Sequence, residues 1–177
     1  MDLGLFVLRI VVGMLLAGHG AQKLFGWFGG HGPRGTAGFF DQLGLKPGHV
    51  HARVAGAAEL GGGILLVLGL LTPFASMALI AVMTAAVITV HGRKGPWVTD
   101  GGYEYNAVIA AVAFALASVG AGSWSLDRAF GLSDHGLLWG ILALLAGVLG
   151  GVAAVFLGRS QAEQQRHPGP TRRPTTA

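Results

Sequence analysis

The stretch LGGGILLVLGLLTPFASMALIAVMTAAVITVHG, residues 60–92, contains no Asp, Glu, Lys or Arg. At 33 residues it is too long for one crossing of a hydrocarbon layer about 30 Å thick, which takes about 20 helical residues. Thr72-Pro73 divides it, because proline suits a helix start and disfavours helix at the residue before it. Two spans follow, about Ala52–Leu71 and Pro73–His91. Outward from this pair, three more apolar segments stand at about Leu3–Leu24, Gly102–Val119 and His135–Gly158. The expected fold is therefore all-α, a polytopic membrane helix bundle.

Composition agrees. Of 177 residues, 52% are hydrophobic and only 11% charged, with 31 glycines and a mean hydropathy of +0.59. So few charges could not cover a soluble protein of this size, which excludes a soluble enzyme and a disordered chain. The absence of cysteine removes disulfides, iron–sulfur clusters, thiolate zinc sites and cysteine nucleophiles. The net charge of +4 belongs to the loops of a membrane protein rather than to a nucleic-acid surface. The first segment reads as a retained helix rather than a cleaved signal: it has no basic start, carries Arg9 in its apolar run and is followed by further spans.

Loop charge sets the expected topology. With five crossings, Lys23, Arg34, Lys46, Arg53, Arg93, Lys94, Arg159, Arg166, Arg172 and Arg173 share one side, ten of the twelve basic residues. The positive-inside rule then places the N-terminus outside and the C-terminus in the cytoplasm of a bacterial plasma membrane. Small residues at Gly13-x3-Ala17-x3-Ala21, Ala58-x3-Gly62 and Gly147-x3-Gly151 read as packing faces. The loop from Thr36 to Leu45, with Phe39-Phe40 beside Asp41 and Gln42, reads as a short interfacial or re-entrant helix. Residues 161–177, rich in Gln, Pro, Thr and Arg, read as disordered.

Ionisable groups inside spans each ask for a partner. Arg9 sits toward the outer half, with Asp127 or Asp134 as partner. His19, Gln22 and Lys23 share one helix face through i, i+3 and i, i+4 spacing. At about 1.5 Å per residue, His19 lies roughly 7–8 Å, and Glu59 roughly 10 Å, inside the basic side of the membrane. His91 and Glu104 lie near the same boundary. The expectation is a polar cluster of Arg9, His19, Gln22, Lys23, Glu59, His91 and Glu104, with Glu59 paired to His19 or Lys23. Such a cluster serves either as a functional pocket or as helix-joining glue. Gly30-x-Gly32-x-x-Gly35 matches the dinucleotide fingerprint only in letters, since Pro33 interrupts it and no strand precedes it. His49-x-His51 is a metal-ligand spacing too sparse to stand alone, and no metal site is expected.

Leu8-Arg9-Ile10-Val11-Val12-Gly13, His19-Gly20-Ala21-Gln22-Lys23-Leu24-Phe25-Gly26 and Glu59-Leu60-Gly61-Gly62-Gly63 resemble the DoxX family of small bacterial membrane proteins. Tyr103-Glu104 and Ser123-Trp124-Ser125-Leu126-Asp127 continue the likeness, which covers about Leu3–Asp127. The resemblance implies a four-helix core over residues 1–127. To this the chain adds a hydrophobic helix in 128–158 and a basic tail in 159–177. It also implies, as one reading, a quinone-linked subunit of a membrane oxidoreductase in sulfur or oxidative-stress metabolism, working with a soluble or membrane partner. The other reading is a non-catalytic anchor that recruits a soluble enzyme. The residues matching the family's polar pattern are Arg9, His19, Gln22, Lys23 and Glu59.

Overall fold

A computed structural model describes residues 2–132 and 135–166, with side chains described as far as Glu163. The described chain is helical: α1 (Asp2–Phe25), α2 (Gly32–Gln42), α3 (Gly48–Leu68), α4 (Thr72–Ala86), α5 (Glu104–Val119), α6 (Leu126–Ala129) and α7 (Leu137–Arg166). Four helices are long and apolar enough to cross a membrane: α1, α3, α7 and the run Thr72–Lys94 that α4 begins. The fifth expected span, α5, has only 16 residues, about 24 Å. The Asp2 carboxylate accepts a hydrogen bond from Ser123 N beyond the C-terminal end of α5. Lys46 N donates to Gly158 O at the opposite end. The start of α1 and the later part of α7 therefore lie at opposite ends of the molecule.

The long apolar stretch breaks slightly earlier than proline alone indicates. Helix α3 stops at Leu68, Gly69 adopts the left-handed conformation at φ 61°, and Leu70 N closes the helix end onto Leu65 O. Pro73 sits in the first turn of α4, as expected of a residue with no N–H to offer. The exposed N–H groups of that turn are satisfied from far along the chain. Asp127 accepts from Leu71 N at 2.6 Å, Thr72 N at 3.1 Å and Thr72 Oγ1 at 2.7 Å.

Close backbone approach joins α1 to α3. A Cβ at Gly63 would lie 2.5 Å from both Gly13 O and Ala17 N, so only glycine fits there. Gly62 instead meets Leu79 of α4, and Gly147 and Gly151 of α7 meet Ile80 and Ala81. The apolar core is built around Leu16, Leu66, Leu79, Met83, Ile109 and Leu116. Helix α7 packs along α4 and α5, so it belongs to the bundle.

Three expectations are corrected. The segment Thr36–Leu45 does hold a helix, but α2 starts earlier, at Gly32, and packs on α3. The second span begins at Gly48, not Ala52. The last helix continues through Arg166, so the polar residues 159–166 are helical rather than disordered, because a helix already nucleated by an apolar run extends at little cost. Residues 167–177 lie outside the described residues, as does Asp134.

Candidate functional site

Lys23, near the end of α1, and Glu59, in the middle of α3, form an ion pair with Nζ 2.5 Å from Oε2. The Glu59 side chain is 5% exposed and that of Lys23 is 25% exposed. The close α1–α3 contact explains the meeting. Gly20 presses on Gly56, almost one turn before Glu59, and on Leu60 next to it. Of the two partners expected for Glu59, Lys23 is the one it meets.

The pair lines a cavity of about 530 Å³, within the range of small-molecule sites. Its wall is mostly apolar and drawn from six of the helices. Phe39 and Phe40 come from α2, Val54 and Ala58 from α3, Ala81 and Ala85 from α4. Tyr105 and Asn106 come from α5, and Gly150 and Ala154 from α7. Asn106 is buried, with its amide against the Met83 sulfur at 3.4 Å.

Two of the histidines that line this cavity, His19 and His91, make hydrogen bonds that fix which nitrogen carries the proton. Gln22 Nε2 donates to Phe28 O at 3.2 Å, which turns Gln22 Oε1 toward His19 Nδ1 at 3.1 Å. An oxygen acceptor there requires a proton on Nδ1, so neutral His19 keeps Nε2 as a free base. His91 Nδ1 likewise faces a carbonyl, Gly101 O, at 2.7 Å, and its Nε2 is also the basic position. His91 lies in a widened π turn, Val87–His91, where Thr89 Oγ1 bonds back to Ala85 O at 2.7 Å. Such turns loosen the regular helix ladder and re-aim side chains.

The seven residues expected to cluster separate into four places. His19, Lys23, Glu59 and His91 line the cavity. Gln22 supports His19 from outside it, lining a second, more polar cavity of about 400 Å³ with Gly30, His31 and Thr36. Glu104 is exposed and accepts from Val98 N at 3.0 Å, fastening the loop before α5. Arg9 is at the far end of the bundle and fully buried. Its guanidinium donates to Leu66 O at 3.4 Å, Val67 O at 3.3 Å and Trp124 O at 2.5 Å. Among the described residues it has no ion pair. The C-terminal carbonyls of α3 take the place of the carboxylate expected, while Asp127 is engaged in capping α4.

His51 stands one residue before the expected second span, yet it lies within α3 and lines the cavity. Starting the second span at Gly48 exposes the signal, since His51 and Glu59 are eight residues apart and so share a helix face. The contribution of α7 had no such signal, because glycine and alanine wall a cavity without chemistry of their own. No group of His, Asp and Glu among the described residues could hold a metal ion.

Outside the spans, Asp41 at the end of α2 accepts from Gly48 N at 3.0 Å and lies 3.3 Å from Lys46 Nζ. The backbone N–H, followed by the nearby ammonium, holds its carboxyl below the usual carboxylate range.

A family model described as DoxX matches residues 4–92, the stretch that carries His19, Lys23, His51, Glu59 and His91 of the larger cavity. "Putative oxidoreductase CatD" of Bacillus subtilis is 30% identical over 115 residues, covering 65% of this chain and 79% of that protein. An uncharacterized protein of Haemophilus influenzae is 32% identical over 83 residues, 47% of this chain, which spans 55% of that protein's length. No solved structure matches the chain.

Proposed function

This chain belongs to the DoxX family of membrane proteins, and from that premise we propose that its larger cavity binds the head group of a lipid-soluble quinone. The protein would thereby serve as the membrane subunit of an oxidoreductase. One observation carries the reading: an apolar cavity of about 530 Å³ in a membrane bundle holds an ion pair and two imidazoles of fixed tautomer. The oxidoreductase name of the Bacillus subtilis relative supports the same direction.

The donor set fits such a head group. A quinone when bound supplies two-electron, two-proton redox chemistry at a pair of carbonyl oxygens. Lys23 has three N–H donors and gives one to Glu59, leaving others for a carbonyl oxygen. His19 and His91 hold their Nδ1 protons on protein carbonyl groups, so Nε2 of each is available to accept a hydrogen bond or a proton. Glu59 holds the amino group of Lys23 at the cavity wall, since two long side chains tied at 2.5 Å have little rotamer freedom left. The apolar wall excludes water and strengthens each of these contacts.

Gentle purification from native membranes tests the proposal. Wild-type protein is expected to carry quinone that exchanges with added analogue, and His19→Ala is expected to lose it. Absence of bound quinone, with capture of a soluble partner unchanged in that variant, would instead identify an anchor.

A further inference from the structure

The geometry points to a lateral port between α3 and α7, through which the apolar tail of the ligand leaves the cavity and enters the bilayer. This deepens the quinone reading and rests on it.

Helix α3 packs on α1, α2 and α4, while α7 packs on α4 and α5. Between α3 and α7, α4 forms a floor. The two flanking helices close on each other at one level, where Lys46 N donates to Gly158 O. At that same level a Cβ on Gly158 would lie 2.9 Å from His51 Nε2. Further along, the slot is walled by small residues on three sides: Ala55 and Ala58, Ala81 and Ala85, Gly150 and Ala154. Gly150 has no neighbour nearer to a Cβ position than Ala81, at 3.8 Å, and it is exposed. Val54, on the rim, is 60% exposed. Eight residues separate Gly150 from Gly158, so the opening lies about 12 Å above the closed level, at hydrocarbon rather than headgroup depth.

The cavity borders a second exit, and its chemistry differs. Lys23, Phe39 and Phe40 line both cavities. Beyond them stand Gln22, His31 and Thr36, which suit water. A polar head held at Lys23 thus has polar space on one side and an apolar slot open to lipid on the other. One continuous cavity joins the head-group residues to the slot. The occupant is therefore the ligand's own chain, not a separate lipid.

The test uses the full chain in nanodiscs of phosphatidylethanolamine and phosphatidylglycerol. The probe is a benzoquinone with a decyl tail that ends in a diazirine, and the tailless benzoquinone is the competitor. Photolysis followed by peptide mapping is expected to place the tail on residues 54–58 and 150–154, with labelling suppressed by the competitor. Ala154→Phe fills the slot and is expected to cut that labelling about tenfold, the scale of an overpacked site. Ala153→Phe, exposed on the same helix and outside the cavity lining, is expected to leave it unchanged.

Slot labelling that the competitor does not suppress would mean that an independent lipid site lies there, and would overturn the port. Suppressible labelling near His31 and Thr36 would overturn the port while leaving head-group binding intact. Absence of any suppressible labelling would overturn both.

Discussion

Glu59 Oε2 and Lys23 Nζ stand 2.5 Å apart across the close contact of α1 with α3, at the wall of a cavity of about 530 Å³. Removing one member of a buried pair strands the other, whereas removing both need not be costly. Lys23→Met is therefore expected to destabilise the protein by about 3 kcal/mol, and Glu59→Gln by less, since a neutral amide still accepts from Lys23. The double variant should recover a large part of the Lys23→Met loss. Thermal unfolding in detergent, arranged as a double-mutant cycle, measures the coupling.

Arg9 has a structural part at the other end. It gives carbonyls at the end of α3 a guanidinium donor and ties them to Trp124. Lysine cannot reproduce a planar fork serving three carbonyls. Arg9→Lys is expected to cost about 2 kcal/mol, and Arg9→Ala more than about 3. Gly69→Ala should be comparably harmful, since φ is 61° there and the added Cβ would overlap Arg9 Nη1. Both effects should appear in thermal stability and leave ligand affinity of the surviving folded protein unchanged.

Asp41 makes the α2–α3 junction pH-dependent. Its carboxyl titrates below the usual range because the Gly48 N–H and Lys46 favour the charged form. The junction's stabilisation is therefore complete above the ordinary carboxylate pKa and is lost as pH falls through the lowered folded value. Hydrogen exchange at Gly48 should accelerate over that acid window. In Asp41→Asn the exchange should show no such step.

The N-terminal end of α1 and Gly158 lie at opposite ends of the bundle, and the basic loops share the Gly158 end. The positive-inside rule predicts that this end faces the cytoplasm. A reporter active only in the cytoplasm should work when fused after Ala177 and fail when fused before Asp2.

Much of this was legible in the sequence because a bilayer restricts the choices. A charge-free stretch of 33 residues must be two helices. The i, i+4 spacing of His19 and Lys23 put them on one face, and rise per residue put Glu59 near their depth. Other features were hidden. Depth arithmetic gives height along a helix but not which neighbour it faces, so Glu104 was grouped with residues from which it points away. Arg9 was expected to need a carboxylate, while the α3 terminus offered carbonyls in the same place. Helix α7 looked like an appendage because its contribution is small side chains, whose effect is the space they leave.

The most direct test of the central claim is the affinity of the purified full chain for a decyl-tailed benzoquinone, measured in nanodiscs for three variants. Lys23→Met and His19→Ala remove donor and acceptor from the cavity, and each is predicted to weaken binding about tenfold, the scale of one lost hydrogen bond to a charged or buried group. Glu104→Gln, outside the cavity and still able to accept from Val98 N, is predicted to bind as wild type. Equal affinity in all variants, or equal loss in Glu104→Gln, would contradict a head-group site at Lys23 and Glu59.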